Sequence, residues 1–293
     1  MNLSYTPLID GHTKLTGLVG SPVAHSISPL MHNEAFRQLG LNYVYLCFDI
    51  GVEKLDDAVK GFRCMNIAGF NCTMPAKTRM CELADALSPA AEMMGAVNTV
   101  VNDNGKFIGH NTDGIGYMQA VREAGHDITG KSMTLLGAGG AATAIAVQAA
   151  LDGVKNIHIF NRKGRSWDRA IKLADQINSK TSCHAAVYDL MDDTALKTAL
   201  LDSAILTNAT SLGMAPNTDC CPISDKNLLY PGLIVSDIIY NPRQTQLLNM
   251  AREVGCPSFN GLYMLLFQGA EAFRLWTGQE MPVSHIKEKY FRQ

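Results

Sequence analysis

The sequence predicts an α/β protein of two domains, and three observations carry that prediction. Apolar strand patterns alternate with helical patterns along most of the chain, as in a mostly parallel sheet covered on both faces. A short apolar strand runs directly into Gly137-Ala138-Gly139-Gly140-Ala141-Ala142 and an Ala-rich helix. The chain has 293 residues, enough for about two domains at roughly 100–200 residues each, and 47% of them are hydrophobic.

In chain order, residues 16–19 read as a strand, and Gly20, Ser21 and Pro22 open a loop. Ser28 and Pro29 stand where a helix N-cap and first helical residue belong. Met31, Ala35, Phe36 and Leu39 then share one apolar face, and Gly40 ends the helix. A β-rich run covers 43–50, a short helix 54–62, and a further strand 67–73, stopping before Pro75. Strands at 97–101 and 107–110 flank Asn102-Asp103-Asn104-Gly105, a hairpin turn signal. Asp113 can cap a helix over 114–123. After Gly130, strands at 133–136, 156–160, 185–188, 204–208 and 233–239 alternate with helical patterns, including 166–178 with Ser166 as its cap. Helices at 262–276 and 284–291 close the chain and are expected to pack back on the first domain. The expected division is therefore 1–113 completed by 261–293, and 114–260, with an active-site cleft between.

Several function classes are excluded at this level. With 25 basic against 27 acidic side chains, a net charge of -2 and no long Lys/Arg run, neither nucleic acid nor a membrane surface is an expected partner. The eight cysteines form no C-x-x-C pair and no Cys/His zinc spacing, so no metal site and no disulfide framework are expected. Residues 1–14 lack the basic-then-apolar order of a secretion signal, and a cytoplasmic protein is expected. The uncharged stretch 132–151 is glycine- and alanine-rich rather than bulky, and the glycine motif accounts for it. His25, His32 and His110 have no carboxylate and nucleophile at suggestive spacing, and each is expected to be a satisfied loop or helix histidine.

The glycine motif has the form G-x-G-x-x-A between a strand and a helix, where that pattern binds a dinucleotide. Gly137 permits the tight turn, Gly139 lets backbone approach a pyrophosphate, and Ala142 lets helix and strand pack closely. The free N–H groups and dipole of the helix N-terminus then hold the anion. About 20 residues on, where an NAD site places an acid for the free 2′-hydroxyl, the chain has Asn161-Arg162-Lys163-Gly164-Arg165. Three cations and no carboxylate favour a 2′-phosphate and hence NADP, with NAD as the alternative.

Four further strings carry polar chemistry: Ser26-Ile27-Ser28-Pro29, Asn71-Cys72-Thr73-Met74-Pro75-Ala76-Lys77, Ala96-Val97-Asn98-Thr99 and Asn111-Thr112-Asp113. Short hydroxyl, amide, amine and carboxylate groups of this kind suit a small polyhydroxylated acid, whose hydroxyls each need a partner once buried. In this order, and with the glycine motif, Asn161-Arg162, Ile239-Tyr240-Asn241-Pro242 and the G-x-x-M-L-x-x-Q pattern from Gly261, they resemble the shikimate dehydrogenase family, including its quinate/shikimate branch.

The resemblance runs from Gly17 to about Trp276 and implies a Rossmann-like nucleotide-binding domain beside an α/β substrate-binding domain. It implies reversible NADP-linked reduction of 3-dehydroshikimate to shikimate, toward chorismate and the aromatic amino acids. Carried over by position, Lys77 is the acid/base group and Asp113 its partner. Ser26 and Ser28 hold the carboxylate; Asn71, Thr73, Asn98 and Gln268 bind ring hydroxyls, with Tyr240 near the substrate. Gly137, Ala138, Gly139, Gly140 and Ala141, with Asn161, Arg162, Lys163 and Arg165, bind the cofactor, and Ile238 and Gly261 lie near its nicotinamide.

The chain departs from the family at Lys163 and Gly164, where NADP-specific members usually place a small hydroxyl residue and the quinate/shikimate branch an acid. It also has Ser211 where that branch often has lysine. Quinate as a second substrate therefore stays open, as does a monomer or homodimer. A non-catalytic regulator that binds nucleotide and ligand is the rival from another class, opposed by the intact Lys77 and Asp113.

Overall fold

A computed structural model describes residues 9–292. Its contacts divide the chain into two compact units, one reaching to Thr112 and resuming at Leu266, the other Asp113–Leu265.

The first unit comprises β1 (Lys14–Gly20), α1 (Ser28–Gln38), β2 (Tyr43–Asp49), α2 (Leu55–Cys64), β3 (Gly69–Cys72), α3 (Ala76–Leu83), β4 (Ala86–Leu87), α4 (Pro89–Met94), β5 (Thr99–Asp103) and β6 (Lys106–His110). The sheet order is β2-β1-β3-β5-β6-β4. β1 runs parallel to both β2 and β3, while β5 is antiparallel to β3 and β6. The expected Asn104-Gly105 turn causes that reversal: both residues have positive φ, 52° and 90°, which suits a two-residue hairpin. One side of the sheet buries Phe62, Ile67, Phe70, Met80 and Phe107.

The observed ends correct the reading of α1. The helix starts at Ser28 itself, so Ser28 does not cap it, and its N–H donates to the Ser26 hydroxyl at 3.2 Å. Leu39 lies beyond the helix and is 37% exposed, so the buried face is Met31, Ala35 and Phe36.

In the second unit follow α5 (Asp113–Glu123), β7 (Ser132–Leu136), α6 (Gly140–Leu151), β8 (Asn156–Asn161), α7 (Trp167–Lys180), β9 (His184–Asp189), α8 (Asp193–Asp202), β10 (Ser203–Asn208), β11 (Ile234–Asp237), α9 (Gln246–Val254) and β12 (Ser258–Asn260). Every pairing is parallel, in the order β12-β11-β10-β7-β8-β9. Counted within the unit this is the 3-2-1-4-5-6 order of dinucleotide-binding sheets, reversing between β7 and β10. The uncharged stretch thus becomes buried β7, a glycine turn and α6, and no helix among the described residues is long and apolar enough to cross a membrane. Ser166 stands at the N-cap of α7 but makes no side-chain capping bond; its hydroxyl accepts from the Asn161 amide at 3.0 Å.

The chain closes with α10 (Leu262–Thr277) and α11 (Val283–Tyr290), and from Leu266 onward it belongs to the first unit. The Trp276 indole donates to the Val100 carbonyl at 2.9 Å. Glu34 of α1, nearly buried, takes Lys289 at 2.9 Å and His285 at 2.6 Å. Burial pushes its carboxyl up, but hydrogen bonds from Arg37, Lys289 and His285 outweigh that and hold it well below the usual range.

His32 corrects another expectation. It is fully buried, stacked on Tyr45 at 4.5 Å between ring centroids, and neither ring nitrogen has a hydrogen-bond partner among the described residues. Burial pushes its pKa down to about 3, so the folded protein holds it neutral. The unfolded chain takes up the proton near pH 6.5, so the stability contributed by neutral His32 is complete above that value and is lost as pH falls toward 3. We expect wild type to lose stability between pH 6.5 and 4.5 with an extra slope of up to about 1.4 kcal/mol per pH unit that His32→Phe lacks. Urea unfolding at both pH values checks this; equal slopes would refute it.

Candidate active site

The polar strings of the first unit converge on one buried network. Asn98, 2% exposed, stands just before β5; its carboxamide oxygen accepts from the Thr99 hydroxyl at 2.9 Å and from the Thr112 N–H at 2.8 Å. Its amide group donates to the Thr112 hydroxyl at 3.0 Å and reaches the Gln268 carboxamide of α10 at 3.5 Å. Asn71 of β3 is also buried and donates to the Thr99 hydroxyl at 3.0 Å and the Asn98 carbonyl at 3.2 Å. Its oxygen accepts from the Tyr45 phenol at 2.8 Å. Burial pushes the Tyr45 pKa well up, so it remains a neutral donor.

This network joins Asn71, Asn98 and Gln268, which lie far apart in the sequence. It also changes how Asn71 reads. Both of its amide hydrogens are spent on protein acceptors, so only oxygen capacity is left for another partner. Thr99 and Thr112 stand in the polar strings but received no role from sequence, and Tyr45 was not singled out, because a tyrosine in a strand and threonines beside asparagines carry no signal until the fold brings them together.

Thr73 and Lys77 follow β3, both half-buried, with Lys77 in the first turn of α3. Backbone bonds fix that segment: the Val97 N–H donates to the Lys77 carbonyl at 2.9 Å, Cys72 N–H to the Asn98 carbonyl at 2.8 Å, and Thr73 N–H to the Val19 carbonyl at 2.8 Å. Lys77 is thereby held in register with the segment that carries Asn98. Gly20 has no room for a side chain, because a Cβ there would run into Thr73 and the Met74 carbonyl.

In the second unit, Asp113 is the first residue of α5. Gly137 has φ of 106°, a conformation open to glycine, and a Cβ would press on the Ala209 carbonyl at 3.0 Å. Gly139 and Gly140 differ: the space where a Cβ would stand is open at both. Gly139 is the extended N-cap of twelve-residue α6, which has no acid in its first turn. This open, N–H-lined cradle suits a pyrophosphate. Asn161, at the end of β8, shapes the next loop by donating to the Arg162 carbonyl and the Ser166 hydroxyl, while Arg162, Lys163 and Arg165 are exposed.

Ile238 and Tyr240 follow β11, and Tyr240 is 46% exposed. Asp237, which the sequence reading passed over, organises this loop. It is 1% exposed and accepts from Thr245 Oγ1 at 2.8 Å, Ile239 N–H at 3.1 Å and Asn208 Nδ2 at 3.1 Å. Burial raises its pKa despite those donors. Gly261 closes against the same loop, where a Cβ would collide with the Ile238 backbone. Among the described residues no cluster of His, Cys, Asp or Glu could hold a metal ion.

If the network is as tight as these distances indicate, Tyr45→Phe should lower stability by about 1 kcal/mol, since it removes one partner from a buried carboxamide. A urea midpoint equal to that of wild type would contradict this.

Comparison with known proteins agrees with the geometry. The family profile described as the shikimate dehydrogenase substrate binding domain matches residues 18–100, and that of the shikimate 5'-dehydrogenase C-terminal domain matches 261–289. A curated shikimate dehydrogenase (NADP(+)) of Listeria monocytogenes is 55% identical over 291 residues, covering 99% of this chain and 100% of its own. A quinate/shikimate dehydrogenase of Escherichia coli is 44% identical over 275 residues, 94% of this chain and 96% of its own. The crystal structure of shikimate 5-dehydrogenase from Listeria monocytogenes in complex with shikimate and NAD superposes with a TM-score of 0.94 at 55% identity, covering 97% of this chain and 98% of that one. The chain belongs to the shikimate dehydrogenase family.

Proposed function

We propose that the chain is a shikimate dehydrogenase, catalysing the reversible NADP-linked reduction of 3-dehydroshikimate to shikimate on the route to chorismate and the aromatic amino acids. The observation that carries this reading is the network around Asn98, which presents amides and hydroxyls beside the Lys77 segment. The Listeria relative named for NADP(+) supports it over the full length.

In this reading Ser26 and Ser28, at the start of α1, hold the substrate carboxylate, and Thr73, Asn98, Gln268 and the remaining acceptor capacity of Asn71 bind ring hydroxyls. Such groups hold a polyhydroxylated ring in one orientation because each misplaced hydroxyl would lose a partner. Tyr240 contributes near the substrate. Gly137 to Ala141 take the pyrophosphate of the cofactor; Asn161, Arg162, Lys163 and Arg165 take its adenosine end; Ile238 and Gly261 border its nicotinamide. A nicotinamide cofactor held by these residues would supply the hydride-transfer chemistry. Lys77 gives a proton to the carbonyl oxygen during reduction and removes it from the hydroxyl during oxidation, with Asp113 as the companion carboxylate. Residues 1–113, completed by 261–293, form the substrate-binding domain and 114–260 the nucleotide-binding domain. The enzyme is cytoplasmic and works as a monomer or homodimer.

The complex of the Listeria structure with NAD, and the quinate/shikimate relative, favour a second reading in which NAD or quinate is also used. Initial rates with shikimate or quinate and either nucleotide separate the two. Lys77→Ala should reduce turnover of shikimate by roughly 100-fold or more while changing its KM little. Near-normal turnover would defeat the assignment of Lys77, and no nicotinamide reduction by wild type would defeat the enzymatic reading.

A further inference from the structure

The loop after β8 carries three cations, and the residue about 20 positions beyond the glycine turn is not an acid. The fold nevertheless brings a carboxylate to that loop from the neighbouring strand. Asn161 and Asp189 are the last register partners of parallel β8 and β9, so both stand at the C-terminal edge of the sheet, where open α/β sheets bind their ligands. The two loops are stitched together by the Leu190 N–H, which donates to the Asn161 carbonyl at 3.1 Å. One carboxylate oxygen of Asp189 accepts from the Met191 N–H at 3.1 Å, which fixes the side chain. The other lies 3.6 Å from the Lys163 ammonium. Asp189 is 25% exposed and Lys163 71%, so the acid is the anchored member of the pair and the lysine the exposed one.

We propose that Asp189 is a specificity-determining residue that limits this protein's preference for the 2′-phosphorylated cofactor. The proposal rests on the reading that residues 161–165 receive the adenosine end of NADP or NAD. A carboxylate at that edge repels a phosphate and engages Lys163, so that the loop meets a 2′-phosphate with less than its full positive charge. The same carboxylate can accept a hydrogen bond from a free ribose hydroxyl, the role an acid performs in NAD sites. Both effects move the balance from NADP toward NAD. They would leave a chain with three cations on this loop able to take either nucleotide.

Titration calorimetry of the intact protein with NADP and with NAD tests this directly, using wild type, Asp189→Asn and Asp189→Ala. The asparagine keeps the oxygen that accepts from Met191 and removes only the charge. The Kd for NADP should fall about two- to fivefold in Asp189→Asn, the upper part of the range expected for removing one partly exposed charge pair. The Kd for NAD should stay level or rise. The shift in the NADP:NAD ratio should shrink as salt is raised to about 0.5 M, because the effect is coulombic; a purely structural role would not follow ionic strength. An unchanged or reversed ratio in both variants overturns the proposal. If Arg165→Ala weakens NADP in the same experiment, the cofactor reading survives and Asp189 alone is at fault. Wild type binding neither nucleotide would remove the cofactor reading and this inference with it.

Discussion

The carboxamide of Asn98 is the constraint on which the first unit's polar architecture depends. Its oxygen and its amide group reach Thr99, Thr112 and Gln268, and its backbone carbonyl takes both Cys72 and Asn71. A single planar group therefore ties together β5, the segment after β6 and α10, and the backbone carbonyl of the same residue adds β3. Asparagine can do this because it offers donors and an acceptor in one fixed plane; a carboxylate could only accept, and a hydroxyl has too few hydrogens. Buried networks of this kind are rigid when every member is satisfied, and costly when one is removed. That rigidity keeps its amides and hydroxyls in one arrangement.

The second unit reaches order by a different route. Its loops follow the carboxyl ends of parallel strands, where the last N–H and C=O groups of the sheet run out of partners. Asp237 supplies them for the loop carrying Ile238 and Tyr240, while Asn208 holds the adjoining turn through Thr210 at 2.7 Å. The glycine turn after β7 solves the same problem with no side chain at all, leaving open space at Gly139 and Gly140. Polar side chains thus define the loops that must keep one shape, and glycine leaves room where a ligand must approach closely.

What could be read from the sequence, and what could not, follows from the range of each interaction. The hairpin at Asn104-Gly105, the strands of the parallel sheet and the turn at Gly137 are local, and residue type specifies them directly. The helices at 76–83 and 89–94 and the two-residue β4 are too short to show a period. The cap assigned to Ser28 failed, since α1 begins at Ser28 itself and its N–H goes to the Ser26 hydroxyl. Ser166 does stand at the N-cap of α7, but its hydroxyl accepts from the Asn161 amide and makes no capping bond. His32 was expected to be satisfied, yet aromatic stacking outweighs hydrogen bonding in its pocket. In the candidate site the motif residues were legible, but their supports were not. Tyr45 is 26 residues from Asn71, and Asp189 lies one strand over from the loop it faces, so only the tertiary register exposes them.

The central claim is that the Asn98 network is organised to receive a small hydroxylated acid. Calorimetric titration of shikimate into wild type and Asn98→Ala, both verified as folded by circular dichroism, tests it most directly. The account predicts saturable binding by wild type, weakened by about 2 kcal/mol, roughly 30-fold, in the variant. Equal affinity in the two proteins, or no binding by wild type, would contradict it.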